Sequence, residues 1–292
     1  MVLVIMFKSA TKSHIGHIRS CNEDSFIENA ELGLWLVADG VGGNAYGDFA
    51  SQVVSQTIER KIRLGSSLKE AVEDAHLTVI KLGRDKPDIS GMASTVVAVH
   101  FKGTHYQICW VGDSRAYLIN QKDGISQLTV DHNQAQLLVE TGEITHEEAR
   151  LHPSQRILMH AVGINDEDWK VDQIEGELSA GERLLLCSDG LSGELADADI
   201  LASFDRDKPL KDIVDELIEK ALNSGGSDNI TLALVELDRY GVKASEQNKP
   251  HEPKEAAVNQ ALSRGTPKSA LKYMVLGIVA ALAVVTIAVW VA

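Results

Sequence analysis

The chain has 292 residues, 44% hydrophobic and 24% charged, with a net charge of −14. That length allows one large domain or two small ones with a substantial core, and the acidity excludes nucleic acid as the main partner, because its phosphates would be repelled. Cys21, Cys109 and Cys187 form no C-x-x-C pair and are odd in number, which argues against a disulfide framework or a zinc site and fits a reducing compartment.

The opening Met1-Val2-Leu3-Val4-Ile5-Met6-Phe7 is apolar but short, without a basic n-region or a small-residue cleavage site. It reads as a first strand, not a signal peptide, and Met6 offers a second start. Apolar or β-branched runs predict strands over 34–38, 94–101, 105–112, 183–187 and 230–236. Helical spacing of apolar residues predicts helices over Phe49–Ile62, Leu68–Leu82 and Leu210–Leu222. Residues 132–168 are polar and hold short helical pieces, one opened by a Thr145/Glu148 capping box; they read as an inserted flap. From Tyr240 to Leu271 large apolar residues thin out and Lys, Glu, Pro and Ser dominate, as in a flexible linker. Its excess of lysine suits either a merely solvated tether or one lying beside anionic lipid. Tyr273 to Ala292 has no charged residue; twenty residues at about 1.5 Å each span roughly 30 Å, the hydrocarbon thickness of a bilayer. Lys268 and Lys272 before it place the preceding domain on the cytoplasmic side. The pattern is an α+β domain over 1–240 with helices covering the outer faces of packed sheets, a linker over 241–272 and a transmembrane helix over 273–292.

Chemistry concentrates in short acidic motifs that close or follow predicted strands: Asn22-Glu23-Asp24, Asp39-Gly40-Val41-Gly42-Gly43, Gly112-Asp113-Ser114, Ser188-Asp189-Gly190 and Ser227-Asp228-Asn229. Carboxylates gathered from distant parts of a chain suit hard divalent cations, which prefer oxygen ligands. Any one of these strings alone is a common turn. Arg19, five residues before Asp24, offers either an ion pair to the acids or a planar fork for phosphoryl oxygens.

Taken in order, with Gly91-Met92-Ala93-Ser94-Thr95 and Leu128-Thr129-Val130-Asp131-His132 between them, these motifs resemble the metal-dependent protein Ser/Thr phosphatases of type 2C, the PPM family, over about residues 8–237. The resemblance implies a central antiparallel β-sandwich flanked by helix pairs, α-β-β-α in four layers, with a metal site at one end. It implies two Mn²⁺ or Mg²⁺ ions: Asp39 bridging them, the Gly40 carbonyl on the first, Asp189 and Asp228 on the second. Glu23 and Asp24 match acids acting through water, Asp113 a residue for a third ion shared with Asp189, and Arg19 the phosphate-binding arginine. The implied activity is hydrolysis of phosphoserine and phosphothreonine on proteins by water activated between the ions, opposing a bacterial Ser/Thr kinase from the inner (cytoplasmic) membrane.

Two cations would neutralise the phosphoryl dianion and activate a water without a covalent phosphoenzyme. Accordingly, there is no D-x-D-x-T/V motif, and the one string with C-x₅-R spacing, Cys109 to Arg115, starts inside the predicted strand 105–112 with Cys109 as a packing residue, not in a phosphate-binding loop. Val41 departs from relatives that carry a histidine there as the leaving-group acid; His132, His152 and His160 stand in the flap, each expected as a surface or packing residue, and the acid is unassigned. The competing readings are a catalytically silent, membrane-anchored binding module of the same fold, disfavoured because Asp39, Asp189 and Asp228 are all present, and a phosphatase of anti-anti-sigma-type regulators.

Overall fold

A computed structural model describes residues 2–243, apart from 42–45, 121, 165–167 and 206. Gly42 and Gly43, the linker beyond 243 and the expected membrane helix therefore lie outside the described residues. Among the described residues no helix is long and apolar enough to cross a membrane.

The first sheet joins β1 (Val2–His14), β11 (Ile230–Lys243), β10 (Arg183–Cys187), β7 (Arg115–Asn120) and β8 (Gly124–Gln127) in that order. The second joins β2 (Asp24–Asn29), β3 (Leu34–Val41), β5 (Val96–Lys102), β6 (His105–Val111) and β9 (Asp172–Glu177), with the two-residue β4 (Ala93–Ser94) on β3. Every pairing is antiparallel. The helices are α1 (Gly47–Arg63), α2 (Leu68–Asp85), α3 (Gln134–Glu140), α4 (His146–Ala149), α5 (Asp189–Ser192), α6 (Asp197–Leu201) and α7 (Leu210–Ser224).

The layering follows from residue alternation. Leu34, Leu36 and Ala38 of β3 face a cluster built with Ala50, Val54 and Ile58 of α1 and Leu68, Val72 and Val79 of α2. Trp35 and Val37, between them in sequence, point the other way and meet Leu184, Leu186, Ala233 and Val235 of the first sheet. On that sheet Leu185, Cys187, Leu232 and Leu234 turn outward to Ile213, Leu217 and Ile218 of α7. Both faces of each central strand are thus covered, which is why these strands read as unbroken apolar runs. Phe7, Trp35 and Phe101 form an aromatic knot between the sheets, with centroids 4.4–5.8 Å apart. Cys109 and Cys187 are buried packing residues and Cys21 is exposed.

The four layers match expectation with one difference in the flanks. A helix pair covers the second sheet: α1 and α2 are joined by a tight turn, and the Ser67/Glu70 capping box starts α2. The first sheet carries one long helix, α7, with only short α5 and α6 beside it. The expected strand 94–101 is interrupted at Thr95, whose N–H is taken by the Asp39 carbonyl at 2.8 Å. β11 continues to Lys243 because β1 supplies a partner throughout, with Tyr240 opposite Ile5 and Gly241 opposite Val4; residues 241–243, assigned to the linker by composition, belong to the sheet.

Residues 132–168 carry α3, α4 and a short 3₁₀ turn, Pro153–Arg156. The two chains at the flap's base are stitched by the Asn133–Leu158 bridge and by Met159 N–H to the His132 carbonyl at 2.8 Å. The Ser94–Val162 bridge ties its exit to β4.

Candidate active site

Antiparallel register gathers the acidic motifs. Asp24 begins β2 and stands opposite Asp39 near the end of β3. Cys187, the last residue of β10, pairs with Leu232 near the start of β11 and with Arg115 at the start of β7. Asp189 therefore follows one strand end, Asp228 precedes a neighbouring strand start, and Asp113 sits in the turn from β6 to β7. One end of the sandwich collects them all.

Neutral groups hold the acids in place. Ser188 Oγ donates to Asp24 Oδ2 at 2.9 Å and accepts from the Thr231 N–H at 3.0 Å. The Asn229 side chain accepts from the Glu23 N–H at 2.7 Å and donates to the carbonyls of Ile15 (2.8 Å) and Cys21 (3.0 Å). It thereby pins the Arg19–Asp24 loop to the start of β11. Gly40 is packed so closely against Gly47 that a Cβ would collide with its carbonyl oxygen, and a Cβ on Gly47 would press on the Glu23 carboxylate and the Gly40 carbonyl. Only glycine permits that approach. Arg19 Nη2 donates to Asp228 Oδ2 at 2.6 Å, and its Nη1 lies 4.0 Å from Glu23. The guanidinium is half-exposed, and that bond engages one of its five N–H groups.

The electrostatics are those of a site built for added positive charge. Burial pushes the Asp24 carboxyl up to about 7, with Asp189 and Asp228 adding to the rise. Asp39 is held well above the usual carboxylate range by burial and then by Asp24, Asp189, Asp113 and Asp228. Asp113 rises through burial and Asp189, Asp189 through burial and Asp228, and Glu23 chiefly through burial. Arg19 moves upward through its hydrogen bond to Asp228. Asp24 Oδ1 and Asp189 Oδ1 are buried without a hydrogen-bond donor. An orphaned buried oxygen costs about 1–3 kcal/mol, more if charged.

Asp39, Asp189, Asp228, Asp24, Glu23, Asp113 and Arg19 thus lie at one end of the sandwich, with the Gly40 carbonyl beside Glu23 and Gly47. Among the described residues no three His, Cys, Asp or Glu side chains stand as a ready-made cage: Arg19 takes Asp228 and Ser188 takes Asp24. The donor set nevertheless fits hard divalent cations. It is all oxygen, its carboxylates repel one another, and two of its oxygens lack a partner. His132 is a packing residue, accepting from the Gly112 N–H at 3.2 Å and contacting Asp172 through Nε2 at 3.2 Å. His160 faces His132 edge to face at 5.6 Å. His152 caps the 3₁₀ turn through Nδ1 and lines a cleft with Asp189 and Asp228. Sequence reasoning quoted Ser188 and Asn229 within their motifs without giving them the positioning parts described above, and it passed over Arg150 and Arg156. The signal for the first two was adjacency to an acid; for the arginines there was none.

Residues 12–235 match the family described as Protein phosphatase 2C. The chain is 34% identical over 245 residues to the serine/threonine protein phosphatase PstP of Mycobacterium tuberculosis, covering 82% of this chain but only 46% of that relative. It is 33% identical over 234 residues to the serine/threonine phosphatase stp of Listeria innocua, covering 76% of this chain and 92% of the relative. Among solved structures, the catalytic domain of PstP in complex with two manganese ions superposes with a TM-score of 0.71 at 32% identity, covering 80% of this chain and 99% of that one. The order of the acidic motifs, the paired antiparallel sheets and these likenesses agree, and the chain belongs to the protein phosphatase 2C family.

Proposed function

We propose that this chain is a divalent-metal-dependent phosphoprotein phosphatase acting on phosphoserine and phosphothreonine. The observation that carries the reading is the convergence of buried, mutually repelling carboxylates at one sandwich end, two with orphaned oxygens, beside a half-exposed arginine. Asp39, the Gly40 carbonyl, Asp189 and Asp228 would hold the divalent ions directly. Glu23 and Asp24 would support them through water, and Asp113 with Asp189 would offer a place for a third. Bound Mn²⁺ or Mg²⁺ would supply Lewis acidity toward water and the phosphoryl oxygens. Ser188 and Asn229 fix Asp24 and the Glu23 backbone. Arg19 would bind and orient the phosphoryl group with the donors that its bond to Asp228 leaves open. Val41 has no proton to give, so the leaving alkoxide is protonated by another group.

The full-length protein should hydrolyse a phosphothreonine peptide with Mn²⁺ and lose that activity in EDTA. Wild-type turnover by Asp39→Asn would overturn the metal assignment. Residues 273–292 are proposed to anchor the domain on the cytoplasmic side of the inner membrane, where it opposes a Ser/Thr kinase. Deleting them should release the protein from the membrane fraction, and a full-length protein already soluble would refute the anchor.

A further inference from the structure

A cleft of ≈ 240 Å³ runs from Asp189 and Asp228 under the flap, lined also by Arg150, Leu151, His152 and Arg156. It is smaller than a small-molecule pocket of ~300–1,000 Å³ and suits side chains of an extended segment. Two arginines line it from the flap. Arg156 Nη2 donates to Ser227 Oγ at 3.2 Å, next to Asp228. The Arg150 guanidinium has no hydrogen bond or ion pair among the described residues, although it is only partly exposed. Of the acids nearby, Glu194 Oε1 accepts from the Ser227 N–H at 2.9 Å, Asp228 holds Arg19, and across the adjoining cavity, which Asp197 also lines, Asp131 is held by Arg115 at 2.7 Å. Asp189 and Asp228 are the proposed metal ligands, so divalent cations would leave the cleft facing substrate with net positive charge. Leu151, 80% exposed at its lip, adds an apolar contact.

Resting on the phosphatase reading above, we infer that this cleft is a specificity site for a second anionic group on the substrate chain. That group is a carboxylate or another phosphate a few residues from the one hydrolysed, and Arg150 is its principal partner. A guanidinium fork pairs with either anion in the same planar geometry, and more strongly with phosphate. The flap thus selects phosphoproteins whose phosphorylated segment is acidic or doubly phosphorylated. It leaves the reacting phosphoryl group to Arg19 and the carboxylates.

The test uses the full-length protein with Mn²⁺ and four substrates: p-nitrophenyl phosphate and phosphothreonine peptides with neutral, glutamate-containing or second-phosphothreonine flanks. kcat/KM should exceed the neutral peptide by about fivefold with glutamate and about tenfold with phosphothreonine, and the preference should shrink as salt rises. Arg150→Gln should abolish it while leaving the neutral peptide and p-nitrophenyl phosphate unchanged, and Arg150→Lys should keep part of it for glutamate. Equal kcat/KM for all peptides, or a preference that survives in Arg150→Gln, overturns the inference and leaves the phosphatase reading intact. No Mn²⁺-dependent hydrolysis of any substrate overturns both.

Discussion

Two adjoining pieces of β3 live in opposite environments. Leu34 to Ala38 are fully buried between two apolar layers, each side chain adding to hydrophobic stabilisation at roughly 25 cal/mol per Å². Asp39, the next residue, is only partly enclosed and faces other carboxylates that hold its proton on. The first stretch stabilises the fold and the second opposes it. A site that repels itself keeps its geometry only because the strands behind it are fixed by a core on both faces. The difference teaches where to look for function in such a sandwich: at the end where burial and charge conflict.

The largest expected effect breaks the acidic half. Asp39→Asn should lower kcat by more than about 100-fold, beyond the 10–100-fold typical of residues that only support a metal ligand. In EDTA the same variant should melt no lower than wild type, because a repelling carboxylate is gone, and the Mn²⁺-dependent rise in Tm should shrink. A Tm well below wild type in EDTA would show that Asp39 stabilises the fold. The apolar half is broken by Trp35→Ala, expected to cost about 3–5 kcal/mol in a denaturant titration. The variant removes the centre of the aromatic knot with Phe7 and Phe101. Activity per folded molecule should change little; loss of turnover in material shown to be folded would mean that the core positions the site more directly than argued.

Ser188→Ala sharpens the boundary between the halves. Ser188 is fully buried, yet its hydroxyl serves Asp24 and the Thr231 backbone. Removing it should cost about 2 kcal/mol and weaken Mn²⁺ binding about tenfold, read by calorimetry. Unchanged metal affinity would confine Ser188 to a structural part. Such positioning groups were the least legible from sequence. The acids announce themselves as charged residues closing apolar runs, and the central strands as unbroken hydrophobic stretches. Ser188 and Asn229 look like turn residues until register places them against Asp24 and Glu23. The shorter strands β2, β8 and β9 were also obscure, because their mixed burial leaves no apolar run. Arg150 is one arginine of a polar flap, and only the cleft beside Asp189 distinguishes it.

The smallest effect separates two groups that titrate in the same window with opposite sign. Burial pushes the His76 imidazole down to about 4. Its ring stacks on Trp169 at 3.6 Å and its Nδ1 accepts from the Gly163 N–H at 3.2 Å, a bond that protonation would abolish. In the unfolded chain this histidine titrates near 6.5, so the unfolded state binds the extra proton first. The stability from neutral His76 is full above about pH 6.5 and is lost as pH falls toward 4, by about 1 kcal/mol once screening by nearby water is allowed for. Asp24, with its folded value raised to about 7 from 3.8, acts the other way: in EDTA its contribution is present at low pH and is lost as pH rises through about 4 to 7. Asp39, Asp113, Asp189 and Glu23, also raised, add to the Asp24 slope, so urea midpoints measured in EDTA should fall from pH 4 to 7.5 in wild type, with His76 opposing the fall in its lower part. His76→Gln should steepen that fall at the acid end, and Asp24→Asn should make it shallower. If His76→Gln leaves the pH profile unaltered, the seam between α2 and the flap's exit contributes no pH dependence, and any slope belongs to the carboxylate end.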